Sequence, residues 1–199
     1  MRSKIILFYC TEEDDNMCEI LKKMKNKTAK ELLEENNISL VPPINMSMLL
    51  QNLGIKEISA DFSEIEKIMD YDVGSILGIT YAKNEDLMIF YRTLDTINRK
   101  RFTIAHEIAH CCLHTETLKN RHIELRDCKK ENAPREYAAN VFAGELLIPK
   151  ESLVKVYNDL IVPSLSDLSK LFKVSTNVMA GRLDYLNLPY LKDEIISEN

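Results

Sequence analysis

The chain has 199 residues, 45% hydrophobic and 29% charged, enough for one domain with a buried core, or one domain plus a small appendage. Its formal net charge of −5 argues against a broad nucleic-acid footprint. No apolar run approaches the length of a bilayer-spanning helix. The N-terminal run Ile5–Tyr9 is shorter than a signal-peptide core and is followed by Glu12, Glu13, Asp14 and Asp15, so the expected location is cytoplasmic.

Residues 1–26 carry no pattern beyond a short β-prone run at Ile5–Tyr9 and are expected to form an N-terminal arm of unknown role. Thr28 followed by Glu31 is a capping box that starts a helix with Leu32 and Leu33 inward, ending at Asn36-Asn37. Pro42-Pro43 punctuates an extended link. A second helix is expected after Asn45, with Met46, Leu49, Leu50 and Leu53 on one side and Gly54 as its stop. Ile55–Ser59 reads as a strand, and Ser63–Met69 fits either a helical turn or an irregular crossing. Ser75–Tyr81 and Leu87–Tyr91 then read as a hairpin around Ala82–Asp86. An edge strand here would suit a peptide substrate added by β-augmentation, although the same strands could simply complete the core.

The next stretch is Arg101-Phe-Thr-Ile-Ala-His-Glu-Ile-Ala-His-Cys-Cys-Leu-His114. Phe102, Ala105, Ala109 and Leu113 recur at helical steps with no Gly or Pro between them. On a helix, His106 and His110 lie on one face a turn apart and can point two imidazoles at one ion. Glu107 lies beside them, placed to reach a water rather than the ion. H-E-x-x-H is the pattern of a zinc peptidase with the glutamate as general base. The bland alternative is a helix with two polar-face histidines and a solvated glutamate. Arg99-Lys100-Arg101 gains nothing from the dipole at a helix start, which favours a packing or binding role over plain solvation.

Cys10, Cys18, Cys111, Cys112 and Cys128 make an odd set that reads as reduced thiols, with Cys111 and Cys112 as packing residues turned away from the histidine face. Leu118–Asn132 is polar and irregular. Pro134 to Pro149 brackets a further helix with Ala139, Phe142, Ala143, Leu146 and Leu147 on its core face. Its small residues Ala138, Ala139 and Ala143 allow a neighbouring helix to approach closely, which would bring Glu136 to the two histidines. Glu131, Asp127, Cys128, His122 and His114 are rival third ligands. Glu136 is preferred because it alone sits on a patterned helix with an apolar face to dock it. The last 50 residues read as helices over Lys150–Tyr157, Ser164–Phe172 and Ser175–Leu186. The final pair has helix-turn-helix spacing. With Arg182 and two lysines as its only nearby cations, the expected role is a packed helical lid rather than a DNA reader.

These residues resemble the ImmA/IrrE family of bacterial and phage metallopeptidases over roughly residues 27–186. The likeness rests on Arg99-x-Arg-Phe-Thr-Ile-Ala-His-Glu-Ile-Ala-His with Leu113-His114, on Glu136-x-x-Ala-Asn-x-Phe-Ala-x-x-Leu-Leu-x-Pro149, and on Phe172-x-Val-Ser with Arg182-Leu183. It implies His106, His110 and Glu136 as ligands of one zinc ion (manganese as the alternative) and Glu107 as catalytic acid/base. It also implies that the substrate is a helix-turn-helix repressor whose cleavage switches on a prophage, mobile element or stress response. Ala109 stands where the family usually has Gly, which asks for a small packing adjustment and removes no ligand.

The expected fold is α+β: a zincin-like, gluzincin-type minimal peptidase core over 27–149, with a small, mostly antiparallel sheet packed on the H-E-x-x-H helix. A helical C-terminal subdomain over 150–199 follows. DNA and membrane are not expected partners. The competing classes are a metal-bound regulator that acts on a repressor or DNA without proteolysis, and an antitoxin-like protein whose motif is vestigial.

Overall fold

A computed structural model describes residues 17–83, 85–118, 133–160 and 163–191. The chain begins with α1 (Glu19–Met24), α2 (Ala29–Glu35) and α3 (Met46–Leu53). The Thr28–Glu31 capping box starts α2 in both of its hydrogen bonds, and Asn45 caps α3 through the Met48 N–H. α3 ends at Gly54, whose φ of 74° lies in the left-handed region that a side chain disfavours. Leu21 and Met24 of α1 are fully buried among the residues of the main core, so this helix is part of it.

β1 (Ile55–Ala60), β2 (Gly78–Lys83) and β3 (Asp86–Arg92) form one sheet in the order β1-β3-β2. The hairpin β2–β3 is antiparallel, with Thr80 opposite Ile89, as its sequence implies. β1 pairs with β3 in parallel, Ile58 opposite Phe90, so the sheet is evenly mixed instead of mostly antiparallel. The reason is the crossover. α4 (Ser63–Ile68) and the segment after it carry the chain from the end of β1 to the far edge of the sheet, where β2 starts at that same end, and β3 returns between them parallel to β1. The stretch with two readings, Ser63–Met69, is therefore helical. A small satellite core of Phe62, Ile76 and Ile79 lies beneath it.

The central helix α5 (Ile97–Leu113) packs against β2 and β3 on one side and against α7 (Ala133–Leu147) on another. It begins four residues before Arg101, capped by the Thr96 side chain on the Arg99 N–H. Lys100 therefore sits one turn inside the helix. It pairs with Glu57 at 3.1 Å and lies 4.3 Å from the Tyr91 ring centroid. Arg101 donates to the Lys173 carbonyl at 3.2 Å and the Ile44 carbonyl at 3.0 Å. Lys100 and Arg101 thus tie elements together, while Arg99 pairs locally with Asp95 at 3.6 Å.

α6 (Thr115–Leu118) follows α5; α8 (Lys150–Asp159), α9 (Leu165–Phe172) and α10 (Thr176–Tyr185) complete the described chain. Leu168, Phe172, Met179 and Leu183 are fully buried in the same core as α5 and α7. Each such side chain contributes roughly 1.5–3 kcal/mol through burial. The α9–α10 turn lies on α5, where Asn98 donates to the Val174 carbonyl at 3.0 Å. Arg182, counted above among the cations of a possible DNA face, points inward and donates to the Ile148 carbonyl at 3.0 Å, closing the end of α7. Among the described residues, no helix is long and apolar enough to cross a membrane.

Candidate metal centre

Every residue of α5 from Thr103 to Cys112 is buried. A helix buried all round must pair each polar side chain it carries, because an unpaired one costs several kcal/mol of desolvation. His106 is 0% exposed, Glu107 1% and His110 2%. That rules out the bland reading of solvated polar-face histidines and asks what each group is held for.

The answer comes from α7. Ala139 and Ala143 are fully buried and small, so α7 docks closely on α5. One turn before Ala139–Ala143, the Glu136 carboxylate reaches both imidazoles, with Oε2 at 3.1 Å from His106 Nε2 and Oε1 at 3.4 Å from His110 Nε2. The two Nε2 atoms are 2.9 Å apart. All three donor atoms lie within 4.8 Å of one another. Burial works to raise the Glu136 carboxyl, but the hydrogen bonds and charges of His106 and His110 outweigh it, and it titrates well below the usual glutamate range.

The far ring nitrogens are also engaged. His106 Nδ1 lies 2.9 Å from Asn140 Oδ1, an oxygen that can only accept, so Nδ1 carries the proton and Nε2 keeps its lone pair. His110 Nδ1 lies 2.9 Å from His114 Nδ1. Burial, helped by the nearby His110 and Arg135, pushes the His114 imidazole down to about 4, so it is neutral and can accept that hydrogen bond. The Nε2 atoms of both histidines face the Glu136 carboxylate, and with each Nδ1 engaged by Asn140 or His114 they would offer their lone pairs to a cation held there. Two imidazoles and one carboxylate converging on one point are a donor set that fits a divalent cation.

Glu107, next to His106 in the chain, faces β2, where the Thr80 hydroxyl donates to its Oε2 at 2.7 Å. The structure thus brings together His106, His110 and Glu136, while Glu107, the fourth expected residue, faces β2. Of the rival ligands, His114 sits behind His110 and not among the converging donors. Asp127, Cys128, His122 and Glu131 lie outside the described residues. Tyr137, Arg101 and His114 are the polar side chains near the ligands in sequence that could serve an oxyanion. Arg101 is committed to two backbone carbonyls instead, and Tyr137 is 67% exposed. Cys111 and Cys112 are fully buried, and burial pushes the Cys112 thiol up to about 12, as suits a packing residue.

Two contributors escaped the sequence reading. Thr80 gave no signal, since threonine is ordinary in a strand. Gly78 did leave one: an isolated glycine in a β-rich run marks a close backbone approach. A Cβ there would lie 2.6 Å from Thr103 Cγ2 and 2.8 Å from Glu107 Oε1.

A buried pair of histidines and a carboxylate on two helices, set beside a small mixed sheet, is the layout of a metal-dependent peptidase. The family model Peptidase_M78, IrrE N-terminal-like domain, matches residues 63–184, more than half of the chain, and the chain belongs to this family. The match lies within the stretch whose motifs resemble ImmA/IrrE metallopeptidases and covers α4 to α10 almost whole. No curated protein and no solved structure matches the chain.

Proposed function

We propose that the chain is a zinc-dependent endopeptidase of gluzincin type, with His106, His110 and Glu136 as metal ligands and Glu107 as general base. The observation that carries the reading is the convergence of His106 Nε2, His110 Nε2 and the Glu136 carboxylate within 4.8 Å, with Glu107 directly after His106 on α5. A bound zinc ion would lower the pKa of the attacking water towards about 7 and polarise the scissile carbonyl. Glu107 takes the proton from that water and returns it to the leaving amine. Asn140 and His114 keep the two imidazoles in the tautomer that leaves Nε2 free. The substrate chain lies extended along the free edge of β2, the outer strand on the side of α5, where main-chain hydrogen bonds supply affinity.

The family resemblance supports a helix-turn-helix repressor as substrate, with cleavage derepressing a prophage, mobile element or stress response in the cytoplasm. Residues 27–149 carry the catalytic elements in this reading, with α1 and the helices after 150 packed into the same core.

The test is zinc and manganese content of the purified protein by elemental analysis, wild type beside Glu136→Ala, followed by cleavage of a candidate repressor by wild type and Glu107→Gln. One metal ion per chain, lost in Glu136→Ala, with cleavage lost in Glu107→Gln, is the expected result. A wild type that takes up no metal on titration would end the peptidase reading. Repressor inactivation that survives Glu107→Gln would favour a non-proteolytic regulator instead.

A further inference from the structure

We propose that Thr80, with Gly78 beside it, is a positioning residue for Glu107: a hydroxyl on the outer strand that holds the general-base carboxylate in one orientation. The inference rests on the role proposed above for Glu107.

Side chains alternate along a strand, so Gly78 and Thr80 share one face of β2. That face is turned to α5, as both residues' neighbours show. Thr80 is 0% exposed. At a fully buried strand position a valine would pack as well and bring no polar atom to satisfy. Thr80 does bring one, and it donates to Glu107 Oε2 at 2.7 Å. Its β-branch restricts χ1, so the hydroxyl is aimed by the strand and does not wander. Gly78 acts on the other oxygen. A Cβ at that position would stand 2.8 Å from Oε1, closer than side-chain carbons pack, so the carboxylate can occupy this place only because residue 78 has no side chain.

The strand therefore meets the carboxylate at both oxygens, with a donor at Oε2 and room reserved for Oε1. A general base works only within hydrogen-bond reach of the proton it takes, and a glutamate on a helix has several rotamers in which it is out of reach. Fixing it beforehand removes that search from the reaction. It also couples the base to the strand proposed to carry the substrate, since a displacement of β2 would move Glu107 with it.

Three variants test this. Thr80→Val keeps the shape and removes the donor, Thr80→Ser keeps the donor, and Gly78→Ala leaves the hydroxyl in place while its Cβ intrudes on Oε1 at 2.8 Å and on Thr103 Cγ2 at 2.6 Å. Each is compared with wild type by crystal structure, by zinc content and by steady-state kinetics. The kinetic probe is a fluorescence-quenched peptide that wild type cleaves and Glu107→Gln does not. In Thr80→Val and Gly78→Ala the Glu107 side chain is expected to leave its orientation while zinc content stays that of wild type. kcat is expected to fall about 10- to 100-fold, the scale of a misplaced catalytic group, with KM within about threefold. Thr80→Ser is expected to restore both the orientation and most of kcat. Glu107 unmoved in Thr80→Val, or a kcat equal to wild type, would overturn the inference. If no peptide separates wild type from Glu107→Gln, the peptidase reading has failed, and the orientation of Glu107 in the variant structures still decides whether Thr80 positions it.

Discussion

Asn140 Oδ1 lies 2.9 Å from His106 Nδ1, one helical turn beyond Glu136 on α7. One helix face thus supplies a carboxylate to the near side of His106 and an acceptor to its far side. The i, i+4 spacing that makes this work is the same rule that aligns His106 with His110 on α5.

Asn140→Ala should therefore weaken metal binding without removing a ligand. Loss of such an outer partner typically costs about 10- to 100-fold in metal affinity. The residue is largely exposed, so the fold should tolerate the change. Chelator competition with zinc is the measurement: stoichiometry held and affinity reduced is the expected outcome. Unchanged affinity would mean that His106 is oriented by other contacts.

Glu66 is buried on α4, where its carboxylate accepts the backbone N–H of Ile76 at 2.9 Å and of Gly74 at 3.0 Å and pairs with Arg92. Burial alone would raise its pKa. The two N–H donors and the Arg92 guanidinium outweigh it, so the carboxyl titrates below the usual glutamate range. A lowered folded-state pKa gives stability that is fully present above the unfolded value and is lost as pH falls through the folded one. Glu66→Gln should cost about 3 kcal/mol at neutral pH, because it leaves the Arg92 charge without its partner in a largely buried site. It should also flatten the decline of stability below about pH 4.3. Urea denaturation of both proteins across that range checks both effects. Parallel curves would show that Glu66 has no share in acid unfolding.

Arg182 donates Nε–H to the Ile148 carbonyl and lies 3.6 Å from a Glu145 carboxylate oxygen. A role in closing α7 predicts that Arg182→Met lowers unfolding stability by roughly 1.5–3 kcal/mol, the range for a hydrogen bond to a charged group. Any weak affinity for duplex DNA, read by fluorescence anisotropy, should not change. The reverse pattern, with stability kept and DNA affinity lost, would revive the helix-turn-helix reading of α9 and α10.

Local signals were read well. The Thr28–Glu31 box, the Gly54 stop and the pair α9–α10 all depend on residues within one turn of each other, and such short-range rules act before any tertiary contact forms. The hairpin was legible for the same reason. Its flank was less so: α5 begins at Ile97 rather than near Arg101, because Thr96 caps it and the cations of its first turns find partners elsewhere in the fold.

The sequence by itself determined the spacing of His106, Glu107 and His110, the helix that bears Glu136 and Asn140, and the apolar stripes that dock the two helices. Helical periodicity places those residues on shared faces whatever the rest of the chain does. Only the tertiary structure decided that β1 pairs with β3 in parallel, that Arg101 and Arg182 serve backbone carbonyls, and that Thr80 meets Glu107 across 27 positions of chain. Those contacts join segments with no periodic relation to one another. They exist because a closely packed core sets which polar atoms face each other, and burial then penalises every arrangement that leaves one without a partner.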